Sequence, residues 1–529
     1  MPNKTLSNPK RLHRIYGLFF LALTLFYLSL TPGTIEGQGY NRENLVAANQ
    51  IVANVFNAPT GQSLVPVEWT RHGFIEPLFH LPFAVVGRAL PGDAVKLTGR
   101  MAVLQPILAT SLLCTLLLIW AHRLTTSLRL AMLLAISAGL GTMLWPYAYI
   151  GLETTQSLAL LIAAYFTLGR KPTRSWPEAL LVGAACAVAV AVKLNGVFLA
   201  PAVAFLLLEY FGLQNIFHRR GAENAENAEA AQRKASRLKL IGVLAIIVTV
   251  YALNHLAKSR YWNGMDAGVN YFRDILADSP LTAALQAFAY FGSPNKSLLL
   301  FCPVLVLSFL TLGSAWRHQP LLVIFALLTL SGLIGGFSIT RMWADETWGP
   351  RYLHAAIAPL MLCLAAAKPA TEFHWRRESP MVALLVIGFA VSLLGSLFPY
   401  VALHNAATNS SQATLEALQY DPKWNHIRFN WQLTKVWLKD SPQPENWPPP
   451  KHWWFTKPED APPETFVDLR ELALPQPILA QRWRAATPTS FGVFSTLRGL
   501  CSVLLAVGIA GLILAWRRAN LIESELQKL

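Results

Sequence analysis

Long apolar runs, broken by short polar turns, recur along the whole chain. A membrane span needs about 20 mainly apolar residues. Runs of that kind lie near 16–32, 101–121, 130–149, 153–169, 178–193, 195–212, 238–257, 298–316, 320–339, 352–367, 381–401 and 491–516. The expected fold is therefore an all-α polytopic membrane protein with about 12 transmembrane helices, between 11 and 13. The segment 74–90 is apolar but short, and it carries Glu76, Pro77, His80 and Pro82. It reads as an interfacial or re-entrant helix on the outer side, the alternative being a thirteenth span.

Alternating twelve spans places the short basic turns on one side. These are the N-terminus, Arg123 with Arg129, Arg170-Lys171 with Arg174, the 213–239 loop, Arg317, Arg376-Arg377 and Arg517-Arg518. Lys and Arg concentrate on cytoplasmic loops, so both termini are expected in the cytoplasm. The basic N-terminus and first apolar run resemble a signal peptide. No clear small-residue cleavage site follows, so an uncleaved first helix is expected. The stretch AENAENAEAAQRKASR within 219–237 reads as an exposed helix or a flexible linker.

Three segments then face outward: 33–100, 258–297 and 402–490. The last is rich in Trp and Pro, with Trp424, Trp431, Trp437, Trp447, Trp453, Trp454 and Trp483, and reads as a small extracytoplasmic lobe. Its tryptophans could stack on sugar rings, or form a core or an interfacial belt. The expected organisation is a transmembrane core over 1–401, the lobe over 402–490, and a last helix with a cytoplasmic tail over 491–529.

Composition agrees with a membrane protein. The 529 residues are 53% hydrophobic and only 14% charged, against roughly 25% charged in ordinary globular proteins. Mean hydropathy is +0.38. A soluble enzyme, a disordered chain and a disulfide scaffold are excluded. The net charge of +15 points to cytoplasmic anchoring and anionic lipid phosphates rather than nucleic acid. All five cysteines (Cys114, Cys186, Cys302, Cys363 and Cys501) fall in apolar runs, so neither disulfides nor a metal site are implied. No Walker loop, GxGxxG, CxxC or HExxH motif is present.

Candidate chemistry gathers on the outer face. TIEGQGYNRENLVAANQIV places Glu36 and Glu43 just outside the membrane, before an amphipathic helix. Either carboxylate could take a proton from an acceptor hydroxyl, or simply decorate a helix N-terminus. Glu153 stands at the outer mouth of a span, where it is either functional or merely solvated. Lys193, Lys296 and Arg351 open or close helices on the same face. They could converge on a phosphate, with Arg suited to bidentate contact, or serve as separate interfacial anchors.

The order of motifs carries a resemblance. After the acidic first loop come RHGFIEPLFHLPFAVVG, LWPYAYIGLETTQSLALLIAAYFTLGRK, GAACAVAVAVKLNG, SPNKSLLLFCPVL and WADETWGPRYL, with a weaker echo in YDPKWNHIRF. Over roughly residues 10–400 the chain resembles bacterial members of the C-type (GT-C) integral-membrane glycosyltransferases. That superfamily includes protein O-mannosyltransferases and the aminoarabinose transferase of lipid A. The resemblance implies transfer of a sugar from a polyprenyl-phosphate donor to a lipid, glycan or protein acceptor at the outer face of a bacterial inner membrane. It implies a base in the first outer loop, hence Glu43 or Glu36. It also implies donor or acceptor contacts from Lys193, Lys296, Arg351, Glu153, Trp348 and His72. Where relatives often carry an Asp, this chain has Tyr40. Metal dependence varies in the family, and no Asp/Glu cluster here marks a metal site. Two other readings stay open. A surface-polysaccharide ligase or polymerase would share the architecture. A secondary transporter or flippase would more often show symmetric halves with broken helices near the midplane.

Overall fold

The computed structural model describes residues 9–32, 41–57, 73–173, 175–212, 226–261, 276, 279–340, 347–367, 375–398, 403, 419–439 and 488–528. The described chain is almost entirely helical. The principal helices are α1 (Pro9–Ser29), α2 (Asn41–Asn57), α3 (Ile75–Ala89), α4 (Ala94–Ala102), α5 (Leu104–Thr125), α6 (Leu128–Gly141), α7 (Gly151–Ala164) and α8 (Trp176–Ala191). They continue as α9 (Ala200–Phe211), α10 (Glu226–Tyr261), α11 (Pro280–Gly292), α12 (Pro320–Ser338), α13 (His354–Ala367), α14 (Trp375–Leu397), α15 (His426–Lys439) and α16 (Pro488–Lys528).

Local chemistry sets several boundaries. The Asp93 carboxylate caps α4 by accepting from the Val95 and Lys96 amides. Ser127 and Ser279 cap α6 and α11 in the same way, satisfying donors that a helix start leaves orphaned. Proline occupies the first turn of α8, α9, α11 and α12, where its missing N–H costs no helical hydrogen bond. Gly212 ends α9 with φ +67°.

Six stretches among the described residues are long and apolar enough to cross a membrane: Pro9–Ser29, Ala94–Thr125, Leu238–Ala257, Pro320–Ser338, Glu378–Leu397 and Leu497–Glu525. Four apolar helices are shorter: Leu128–Gly141, Trp176–Ala191, Gly196–Phe211 and Arg351–Ala367. The twelve expected runs are thus helical in the main, but they are not twelve spans of full length. The run 298–316 is broken into helical pieces Leu298–Phe301, Leu305–Leu310 and Leu312–His318. Pro303 has no amide hydrogen to continue the first piece. The runs 178–193 and 195–212 are separated by a 3-10 segment, Leu194–Leu199.

The segment 74–90 forms α3. Its 15 residues extend about 22 Å at 1.5 Å per residue, short of a hydrocarbon core of about 30 Å. α3 packs against α2 and α4. The 219–237 stretch is helical from Glu226 onward, as the start of α10.

The core lies where α5, α6, α7 and α13 meet. Every residue of α13 is buried. A helix apolar on all sides needs protein around it, and α13 has it. On the periphery α10 exposes Ile241 and Val248, α14 exposes Val386 and Ile387, and α16 exposes Val503 and Ile513, a surface suited to lipid. Small residues bring α16 onto α1. A Cβ at Gly508 would lie 2.8 Å from the Phe26 amide nitrogen, and one at Gly511 would lie 2.8 Å from the Ala22 Cβ.

The bundle has two different ends. At one, Arg11 pairs with Glu525 at 3.0 Å. Beside it Glu523 accepts from the Ser127 hydroxyl at 2.9 Å and the Arg129 amide at 2.8 Å, and Arg170 pairs with Glu178. The basic turns of Arg123, Arg129 and Arg170 meet here, Arg123 donating to the Gly169 carbonyl at 3.2 Å. The other end holds the C-terminus of α1, the N-terminus of α7 and the start of α13, with a set of buried polar side chains.

Candidate functional site

The second end is built around Glu153, in the first turn of α7. The stretch Pro146–Tyr149 forms a 3-10 turn just before it. The Tyr149 hydroxyl donates to the Tyr27 carbonyl at 3.2 Å, and Tyr27 donates to the Gly139 carbonyl at 2.7 Å. The ends of α1 and α6 therefore fix where α7 begins. Glu153 is only 3% exposed. Its Oε1 accepts from the Lys193 ammonium and lies 3.7 Å from Arg351 Nε. Its Oε2 has no hydrogen-bond partner among the described residues.

Both cations sit beside one ring. Lys193 Nζ is 5.4 Å and Arg351 Cζ is 5.1 Å from the centre of Tyr352. Tyr352 in turn stacks on Phe337 of α12 at 3.9 Å and 8°. An aromatic face attracts cations more strongly once they are desolvated, and the side chains of Lys193 and Arg351 are 7% and 11% exposed. The two cations thus share one oxygen of Glu153 and one aromatic ring.

Lys296 is wholly buried and donates to the Thr347 carbonyl. The Tyr147 hydroxyl reaches the same turn, at 2.7 Å from the Trp348 carbonyl and 3.2 Å from Thr347 Oγ1. Gly349 follows with φ +59°, where a Cβ would meet Met143 Sδ and Phe301 at 2.9 Å. The WGPR turn is thus braced from three sides, and its last residue is Arg351. Trp348 is enclosed by Phe301, edge-on at 5.1 Å, by Gly395 and by His426 at 6.0 Å.

The segment 419–439 docks on the SPNK turn. The Ser293 hydroxyl donates to the Gln419 carbonyl at 2.6 Å, Asn295 Nδ2 to the Asp421 carbonyl at 2.7 Å, and Asn425 Nδ2 to the Pro294 carbonyl. Trp424 is buried there, while Trp431 is exposed. The other five tryptophans singled out in the 402–490 lobe have side chains outside the described residues.

Two groups at this end escape a reading of motifs alone. His354 Nδ1 is 2.6 Å from the Ser157 hydroxyl, one turn beyond Glu153, and its ring meets Tyr147 edge-on at 5.8 Å. Its place in WGPRYLH, three residues after Arg351, is the only sequence signal. The second group is Glu76 with His80, 1% and 0% exposed in α3. The Glu76 carboxyl presses on Gly151, whose Cβ would fall 2.0 Å from Oε1. Neither oxygen has a hydrogen-bond partner among the described residues. Burial, and after it the nearby Glu153 carboxylate, push Glu76 up to about 8, while burial takes His80 down to about 4. Their 4.0 Å approach therefore joins two groups that are both neutral near pH 7, and is not an ion pair.

Of the residues singled out in the sequence, Glu153, Lys193 and Arg351 form one cluster, and Lys296 and Trp348 hold the turn that presents Arg351. Glu43 lies in the first turn of α2, half-buried beside the buried Asn44. Glu36 and His72 lie outside the described residues. Among the described residues no group of three or more His, Cys, Asp or Glu could hold a metal ion.

No protein-family profile matches the chain, and no curated protein sequence matches it. Among solved structures it is similar to ArnT of Cupriavidus metallidurans bound to undecaprenyl phosphate. The identity is 16% and the TM-score 0.44, over 97% of this chain and 77% of that one. It is also similar to the Archaeoglobus fulgidus oligosaccharyltransferase tethered to an acceptor peptide, at 12% identity and TM-score 0.39, over 78% of this chain. The same oligosaccharyltransferase with zinc and sulfate gives 13% identity and TM-score 0.37, over 75% of this chain. The chain spans 59% and 55% of the length of those two archaeal chains.

Proposed function

We propose that this chain is a membrane glycosyltransferase of the C type, moving a sugar from a polyprenyl-phosphate donor to an acceptor at the outer face of a bacterial inner membrane. The observation that carries the reading is the buried Lys193–Glu153–Arg351 cluster, which sets an ammonium and a guanidinium side by side on one carboxylate oxygen. The KLNG, GLET and WGPRYL motifs on which the sequence resemblance rests supply its three members. An ammonium and a guanidinium held side by side in a desolvated site suit the oxygens of a phosphate. The leaving group in such a transfer is that phosphate. Bond breaking at the anomeric carbon builds charge on its oxygen, and Lys193 and Arg351 stabilise the charge as it grows. A phosphate leaving group needs no strong general acid. The acceptor needs a base for its hydroxyl proton, and this role falls to Glu43 or Glu36 of the first outer loop. Glu153 is a poor base because two cations hold its charge. Its part is to keep those cations in place.

The test is donor use by the purified protein. Lys193→Ala and Arg351→Ala are each expected to weaken it by roughly one to two decades, the equivalent of about 1.5–3 kcal/mol for a charged hydrogen bond. Arg351→Lys recovers only part, since an ammonium cannot reproduce the guanidinium fork. Unchanged transfer in both alanine variants removes the cluster from the donor site.

Orientation is tested separately. Cysteines placed at positions 60 and 443 are expected to react with a membrane-impermeant thiol reagent in cells with a permeabilised outer membrane, and one at position 227 to be protected. The reverse pattern turns the site to the cytoplasm.

A further inference from the structure

At the basic end, far along the bundle from Glu153, a cavity of about 240 Å³ opens between the start of α1 and the end of α16. Its lining is charged at Arg11, Arg14, Arg518 and Glu525 and apolar at Ile15, Leu521 and Ile522. Among the described residues Glu525 pairs with Arg11, at 3.0 Å. Arg14 and Arg518 are exposed and have no acidic partner among the described residues. Three guanidiniums against one carboxylate leave two positive charges in the lining of the cavity.

The cleft has a fixed shape. Gly508 and Gly511 hold α16 close to Ala22 and Phe26. Glu523, one residue past Ile522, is anchored to Ser127 and Arg129 of the α5–α6 turn. The cleft also has a direction. Leu521 is 63% exposed, and from it the surface continues onto Leu514, Ile513 and Leu21, all exposed and all in helices that qualify as spans. One side of the cavity is thus cationic and polar, and the other runs onto the lipid-facing belt.

We propose that this cleft binds the headgroup of an anionic phospholipid, with the phosphate on Arg14 and Arg518 and the first acyl carbons along Ile15 and Leu521. A guanidinium offers paired donors matched to phosphate oxygens, and basic pockets between membrane helices hold anionic headgroups. A free anion would leave the apolar lining and the continuous path to the belt without contacts. The proposal is independent of the transferase reading, because it concerns the opposite end of the bundle and no residue of the Glu153 cluster.

Native mass spectrometry of the full chain, stripped of lipid in a neutral detergent, tests it with phosphatidylglycerol and phosphatidylcholine as probes. Phosphatidylglycerol is expected to bind as a single tight adduct, and phosphatidylcholine weakly. Arg14→Gln with Arg518→Gln is expected to weaken the phosphatidylglycerol adduct roughly 25-fold, about fivefold per arginine. Arg317→Gln, an exposed basic residue beyond the cleft, is expected to leave it unchanged. If the double variant does not fold, Leu521→Glu, a change at an exposed position, supplies the same loss by placing an acid on the pocket wall. Undiminished phosphatidylglycerol binding in either pocket variant overturns the site. An equal loss in Arg317→Gln reduces it to general surface charge. Inorganic phosphate that displaces the lipid at equal concentration makes it a bare anion site, and the lipid assignment falls.

Discussion

Glu153→Gln is expected to cost about 3–5 kcal/mol of stability, because it removes a buried carboxylate whose charge two buried cations share. The side chains of Lys193 and Arg351 are 7% and 11% exposed, so water cannot take over the lost interaction. Lys193→Met in the same background is expected to recover part of the loss, since an apolar side chain of similar length removes one of the two buried positive charges. The comparison to make is the folded, monodisperse yield of the single and double variants in one detergent, together with their thermal midpoints. A single variant as stable as the parent would mean that the cluster is hydrated and that its charges are held by solvent rather than by one another. The same measurement guards the transfer assay, because a rate lost with the fold says nothing about chemistry.

Glu43→Gln is expected to slow transfer by about two to four decades while leaving donor binding intact, the range general acid–base catalysis supplies. The competing account is structural. Glu43 stands in the first turn of α2, where a carboxylate favours the helix by about 0.3–1 kcal/mol. That is less than one decade of any equilibrium, so magnitude separates the two roles. A loss of two decades or more at an unchanged thermal midpoint can only be chemical. Glu36→Gln assayed beside it shows which acid of the loop carries the role. If both variants transfer at the parental rate, the proton goes elsewhere, and Glu76 is then the first acid to examine. Its carboxyl is buried against Gly151 without a partner among the described residues. An acid poised near 8 is a competent proton acceptor once it is ionised.

The architecture was legible in the sequence to the extent that hydrophobic length is a local property. The runs that became α1, α12 and α14 could be read directly, because lipid-facing helices must satisfy length and apolarity at once. The run 298–316 could not, since a helix enclosed by neighbours can break at Pro303 and still have its freed backbone groups met by protein. The cluster was half legible. Lys193, Glu153 and Arg351 stood out as charges in apolar surroundings, which are costly and therefore informative. That Lys193 and Arg351 would meet on Glu153 depends on three helices converging from 153, 193 and 351, and no local pattern encodes that. Lys296 looked like a third member, yet its ammonium is used on the Thr347 carbonyl, one step removed from the cluster. Glu76 and His80 were visible as polar breaks in a short apolar run and as part of RHGFIEPLFHLPFAVVG, but their burial together in α3 is not a local property of the sequence.

The seam between α1 and α16 has a consequence for how the protein is made. Its partners are far apart in the chain, with Gly508 beside Phe26 and Arg11 apart from Glu525 by 514 positions. At the usual 5–20 residues per second of synthesis, α1 is in the bilayer for roughly half a minute to a minute and a half before α16 emerges. During that interval the Ala22–Phe26 surface that α16 will cover faces lipid or the insertion machinery. The closing of this seam therefore waits on the synthesis of α16, and the protein should be more open to quality-control proteolysis before it than after. Two halves divided in the long stretch between α15 and α16 should, when co-expressed, recover the fold by the same docking.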